Sequence, residues 1–228
     1  MYVNAHLIHV EAEAEREKDH LLEALKLLEE AIVGYQKEAD YEGLGQALQS
    51  RELTYKHLFL VSKNKVFAIL AKKDAEASLE INQKYNITSK LGSCYFRLGD
   101  VEILFENYEQ AAENYQKALD NYSGTKSEKG DYEYHLGTAL GKLGKTEEAE
   151  KMMLQGLSEI QKNSGEVDIF LTHVWESGCL MRLAELLTEK NRERAKEYLR
   201  QAQEIIENDP KLVIRKRQLA EFKKTLVK

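Results

Sequence analysis

A stripe of small side chains recurs along this chain: a small residue, a usually larger one four positions on, and another small one three beyond that. The clearest copies are Ala111–Tyr115–Ala118 and Ala149–Met153–Gly156, with weaker ones at Ala24–Leu28–Ala31, Ala71–Ala75–Ser78 and Ala195–Leu199–Ala202. Upstream of the clear copies stand Tyr95–Leu98–Gly99 and Leu136–Gly137–Leu140. Leu98 to Leu136 is 38 residues, and so is Ala111 to Ala149. Two markers sharing one period define a repeating unit, and periods of this size belong to stacked helical hairpins. Short side chains let the ridge of one helix enter the groove of another, and the larger residue fills the space beside that contact. A lone hairpin cannot bury its whole apolar face, so its neighbours must complete the core.

Helix breakers are scarce enough to permit this. The 228 residues include one proline, Pro210, and 13 glycines, and 43% are hydrophobic. Alanine, leucine, glutamate and lysine, all good helix formers, dominate the rest. No alternating β-branched segment bounded by turn residues is present. The fold class read from the sequence is all-α.

Helix pairs are expected at about 4–37, 40–84, 87–122, 131–161 and 168–207, with a last helix at 210–226, all in one domain spanning 1–228. The break near Lys18–Asp19 is weakly signalled, which leaves one continuous first helix as an alternative. Asp40 reads as an N-cap, and Asn107 as the residue taking a left-handed turn conformation. SGTKSEKG (123–130) reads as a polar linker, Thr146 as an N-cap, and Asp209–Pro210 as a cap with proline in the first turn. The last helix places Leu212, Leu219, Phe222 and Leu226 on one face, which suits shielding the final hairpin.

The markers resemble the tetratricopeptide repeat, a helix–turn–helix unit of about 34 residues. Tyr95, Leu98, Gly99, Ala111, Tyr115 and Ala118 carry the resemblance in one segment, and Leu136, Gly137, Leu140, Gly144 and Ala149 in the next. The marker alanines at 24, 71, 111, 149 and 195 lie 47, 40, 38 and 46 residues apart, so these repeats exceed the family length. The resemblance implies a right-handed superhelical stack of about five antiparallel pairs with a capping helix. It also implies a peptide or protein segment held on the concave face lined by the first helix of each pair. The Lys, Asn and Arg clamp of chaperone-binding members does not map onto Tyr95–Ile103 and Asp131–Lys142, so that mode is not implied. Longer repeats of this sort also resemble bacterial regulatory proteins that sense peptides, which gives a second reading: a sensor controlling a transcription factor or enzyme.

Charge and isolated side chains narrow the function further. Net charge is −6, yet seven basic residues and one acid follow Pro210. The acidic body disfavours a general nucleic-acid role, and the basic last helix reads as a cap with a solvated charged face, or else as a surface for an acidic partner or nucleic-acid phosphates. Cys94 and Cys179 read as small buried hydrophobes. His6 and His9, three apart on a helix, lack a third ligand and read as solvated or groove-lining, and Trp175 reads as core. No signal peptide or membrane span is evident, so a soluble cytoplasmic protein is expected. No catalytic residue, metal site or cofactor is expected. The groove candidates are Lys56, Phe96, Asp100, Tyr134, Thr138 and Lys142, aromatics supplying apolar contact and polar groups fixing register.

Overall fold

Every chain reversal is set by local backbone chemistry. In the computed structural model, which describes residues 4–226, Asn4 caps α1 (Ala5–Glu17), its side chain accepting from the His6 amide at 2.8 Å. Asp19, at φ 64°, then breaks the chain before α2 (Leu21–Glu38), so the first pair is two helices. Asp40 caps α3 (Tyr41–Ser62) through the Gly43 amide at 2.9 Å, as read from the sequence. Asn64 caps α4 (Lys65–Lys84). A 3-10 turn, Thr88–Lys90, leads into α5 (Leu91–Leu104), and α6 (Tyr108–Asp120) follows. The left-handed residue between these last two is Glu106, at φ 60°, and not Asn107, which lies at φ −86°.

The remaining helices are α7 (Lys126–Lys142), α8 (Thr146–Lys162), α9 (Ile169–Leu187), α10 (Arg192–Asn208) and α11 (Val213–Leu226). Three sequence expectations change here. The segment 123–130 is not all linker: Thr125 accepts from the Glu128 amide and starts α7 at Lys126, so Gly130 is helical. Gly130 serves close packing, since a Cβ there would collide with the Gly156 carbonyl oxygen and come 2.9 Å from Ile160 Cγ1. Pro210 is not in the first turn of α11. Asp209 accepts from the Lys211 amide at 3.0 Å and from His173, holding a turn, and the helix begins at Val213. Thr146 is the first residue of α8 and Lys145 its N-cap.

The chain divides into two compact units at Tyr122/Ser123. In the first, α1–α2, α3–α4 and α5–α6 form hairpins, α2 packs on α3 and α4 on α5. The first helix of each pair also touches the next, α1 to α3 and α3 to α5. The second unit holds the hairpins α7–α8 and α9–α10, with α8 and α7 against α9. Among the described residues the structure is all helices and turns.

The small-residue stripe is the seam of each hairpin. Ala24, Ala31, Ala71, Ala75, Ser78, Ala111, Ala118, Ala149 and Ala202 are all fully buried. The larger stripe residues Leu28, Tyr115 and Met153 are buried beside them. Gly99 shows why the upstream marker is coupled to the stripe: a Cβ on it would stand 2.6 Å from the Tyr115 ring. In the second unit, Leu157, Ile160, Cys179, Leu180 and Leu183 join Met153 in one core cluster, with Trp175 partly buried against it. Beside α11, Leu212 and Leu219 pack with Ile206, Phe170, Val174 and Leu199. The side chain of Leu226 lies outside the described residues.

Candidate functional site

The inner face of the first unit is built by helical spacing. His6, His9, Glu13 and Arg16 follow one side of α1, and Gln46, Gln49, Ser50 and Leu53 one side of α3. With Val10 and Arg97 of α5 they line a cavity of about 240 Å³. Its floor is held by hydrogen bonds within and between the first two pairs. His9 Nε2 lies 2.9 Å from Ser50 Oγ and its Nδ1 3.3 Å from the Tyr35 hydroxyl. Ser50 Oγ donates to Glu13 at 2.9 Å, and Gln49 Nε2 donates to Ser78 Oγ at 3.1 Å. Burial holds the His9 imidazole below its usual pKa, against the opposing pull of Glu13.

Beside this cavity a buried charge cluster joins the second and third pairs. Lys56 Nζ lies 2.6 Å from Asp100 Oδ2, and Arg97 Nη1 3.4 Å from the same oxygen. The Tyr115 hydroxyl donates to Asp100 Oδ1 at 2.8 Å. Arg51 grips Asp74 with two bonds of 2.7 Å. This bidentate fork fixes geometry as well as charge. Glu52 sits among them with no exposure. Burial raises its carboxyl to a pKa of about 8, Arg97 and Lys56 opposing and Asp100 and Asp74 adding to the rise.

The second unit has a cleft of about 440 Å³, lined among others by Thr138, Lys142, Arg182, Glu185, Leu186 and Phe222. Lys142 Nζ lies 2.8 Å from Glu185, and Arg182 Nη1 2.7 Å from the other oxygen of that carboxylate.

The six residues chosen from the sequence fall into two groups of three, one per unit. In the first, Lys56 and Asp100 form the ion pair above, and Phe96 is buried with its ring centroid 5.5 Å from that of Tyr115. In the second, Thr138 and Lys142 line the cleft, whereas Tyr134 is 2% exposed and belongs to the core cluster. Thr138 Oγ1 donates to the Tyr134 carbonyl at 2.9 Å. Phe96, Asp100 and Tyr134 therefore stand beneath the surface, where they position what lies above. Sequence reasoning passed over Arg16, Gln46, Gln49, Ser50 and Arg97. Their signal was polar residues recurring every three or four positions beside the buried Ala5, Ala12 and Ala47.

Among the described residues no group of three or more His, Cys, Asp or Glu is arranged to hold a metal. No described helix is long and apolar enough to cross a membrane.

Comparison with known proteins agrees with this architecture. The SHNi-TPR family model matches residues 93–120, which cover α5 and α6. The tetratricopeptide repeat model matches 134–163 and 178–209, on the α7–α8 and α9–α10 hairpins. No curated protein matches the sequence. Among solved structures, BtubC (BKLC) from P. vanneervenii is similar with a TM-score of 0.63 at 17% identity, over 87% of this chain and 78% of that one. The kinesin light chain TPR-like repeats from Podosopora anserina give 0.58 at 16% identity, over 92% of this chain and 100% of that one. At these identities the likeness is one of fold. With the small-residue seams buried and the repeat models falling on three successive hairpins, the chain carries tetratricopeptide repeats, spaced more widely than usual.

Proposed function

We propose that this protein is a non-enzymatic scaffold that holds a segment of a partner protein against the inner faces of its first helices. The observation that carries this reading is the open, polar cavity between α1, α3 and α5, whose floor is hydrogen-bonded while its rim exposes Val10. A face with a fixed polar floor and apolar rim suits an extended or helical segment, which gains affinity from apolar anchors and register from polar groups. The second unit offers Thr138 and Lys142 to a partner in its own cleft. Phe96, Asp100 and Tyr134 support these faces from below, and Lys56, about one-fifth exposed, stands at the margin of the charge cluster.

A photo-activatable amino acid placed at Val10 tests the reading in cell extract. The expected result is cross-linking to one partner segment, reduced by Leu53→Asp and unaffected by a probe at the exposed Leu22 of α2. Labelling that is equally diffuse from both positions overturns it. Phe96→Ala and Tyr134→Ala are poor probes, because both side chains are core and their loss unsettles the fold.

A further inference from the structure

Arg16 occupies an unusual position in the wall of the first-unit cavity. Its side chain is 9% exposed. Nε and Nη2 both donate to Glu17 Oε1, at 3.2 and 3.0 Å, while Nη1 is buried and donates to nothing. A guanidinium has five donors and no acceptor. Leaving one edge of it buried and unpaired costs free energy that an arriving acceptor recovers. The other deeply buried polar groups of the same wall are already engaged: His9 with Ser50 and Tyr35, Ser50 with Glu13, and Gln49 with Ser78 and Cys94. What the cavity lacks is an acceptor at Arg16.

Charge selects among acceptors. A carbonyl would fill the hydrogen bond, but an ionised oxygen makes a bond roughly twice as strong with a cationic donor. A second cation, Arg97, lines the same cavity from α5 and adds positive charge to it, while the acid in the wall, Glu13, is already engaged by Ser50. The volume of about 240 Å³ takes one or two side chains and excludes a folded domain. Val10, half exposed at the mouth, and Leu53 supply apolar contact for whatever flanks the acid.

We infer that this cavity is a subsite for the carboxylate side chain of an Asp or Glu within the partner segment, seated on the Nη1 edge of Arg16 with Arg97 lining the same cavity. This rests on the scaffold reading and specifies which residue of the partner enters the first unit.

Three short peptides test it on the full chain. They are acetyl-Gly-Leu-Glu-Leu-Gly-amide, its Gln counterpart, and the Gln peptide ending in a free carboxylate. Binding is read by calorimetry at low salt and by shifts of the arginine Nε–H NMR signals in the unmutated protein. The Glu peptide is expected to bind about tenfold more tightly than its neutral counterpart and to move the Arg16 and Arg97 signals. Arg16→Gln, checked for an unchanged thermal melt, is expected to abolish that preference, because the neutral amide keeps a donor but removes the charge that selects a carboxylate. Equal binding of the Glu and Gln peptides, no binding of either, or a preference that survives in folded Arg16→Gln overturns the inference. Stronger binding of the free-carboxylate peptide also overturns it, by assigning the subsite to a chain terminus. Cross-linking from Val10 fails only if the scaffold reading fails, so the two are told apart.

Discussion

Glu52 Oε2 lies 3.8 Å from Arg97 Nε, and neither carboxyl oxygen of Glu52 accepts a hydrogen bond. A fully buried acid in that state is better off protonated, which is why its pKa rises to about 8. The folded chain therefore keeps a proton that the unfolded chain releases above the ordinary carboxyl range. Stability falls as pH rises wherever the folded state binds more protons. The cost of burying Glu52 is absent below about pH 4, builds across the interval up to about pH 8, and is complete above it.

Glu52→Gln should remove that contribution. Urea titrations between pH 5 and 9 should show the wild type losing up to about 1.4 kcal/mol per pH unit from this one site. The variant should lack this slope and be the more stable protein at pH 8.5. Parallel pH profiles for the two proteins would show that Glu52 is charged in both states.

Ala111→Leu and Ala149→Leu should each destabilise, by roughly 1–3 kcal/mol, through overpacking of a hairpin seam. Both alanines have no exposed surface. Denaturant midpoints measure the effect, and an unchanged midpoint in both would contradict the tight-seam account.

Gly130→Ala should be at least as damaging, about 2 kcal/mol or more, although the site read as linker. The new methyl meets the Gly156 carbonyl and Ile160, backbone that cannot simply rotate away. Gly165→Ala, where a Cβ meets nothing within 4 Å, is the control and should change little.

Glu106→Gly should stabilise the first unit. Holding a non-glycine residue at φ 60° costs about 1–2 kcal/mol, and glycine's extra chain entropy offsets part of the gain. A net gain of about 0.5 kcal/mol is expected in thermal melts, with Glu106→Ala giving none.

The helix pairs were legible because their seams are written in residue size, and size at helical spacing survives without knowledge of the partner helix. Gly130 was misread because a glycine chosen for close approach looks the same in sequence as one chosen for a turn. The left-handed residue was placed at Asn107 for a similar reason. Asparagine advertises that conformation, while Glu106 adopts it only because the hairpin closure demands it. The first-unit cavity was missed for a different reason: Arg16, Ser50 and Arg97 are 34 and 47 residues apart in turn, and only the stacking of α1, α3 and α5 gathers them. Phe96 and Tyr134 were taken for surface anchors because aromatics on the first helix are equally suited to the core beneath it.

A repeat that always leaves one apolar side open has no built-in stopping point, and α11 supplies one for the second unit. Leu212 and Leu219 satisfy the open side of the α9–α10 hairpin, while the outward positions Lys211, Lys216 and Lys224 offer charge where another hairpin would need an alanine seam. The α11 segment thus covers the apolar side that the α9–α10 hairpin leaves open. A copy of the α9–α10 hairpin spliced in just ahead of Asp209 should lengthen the array without creating an adhesive edge.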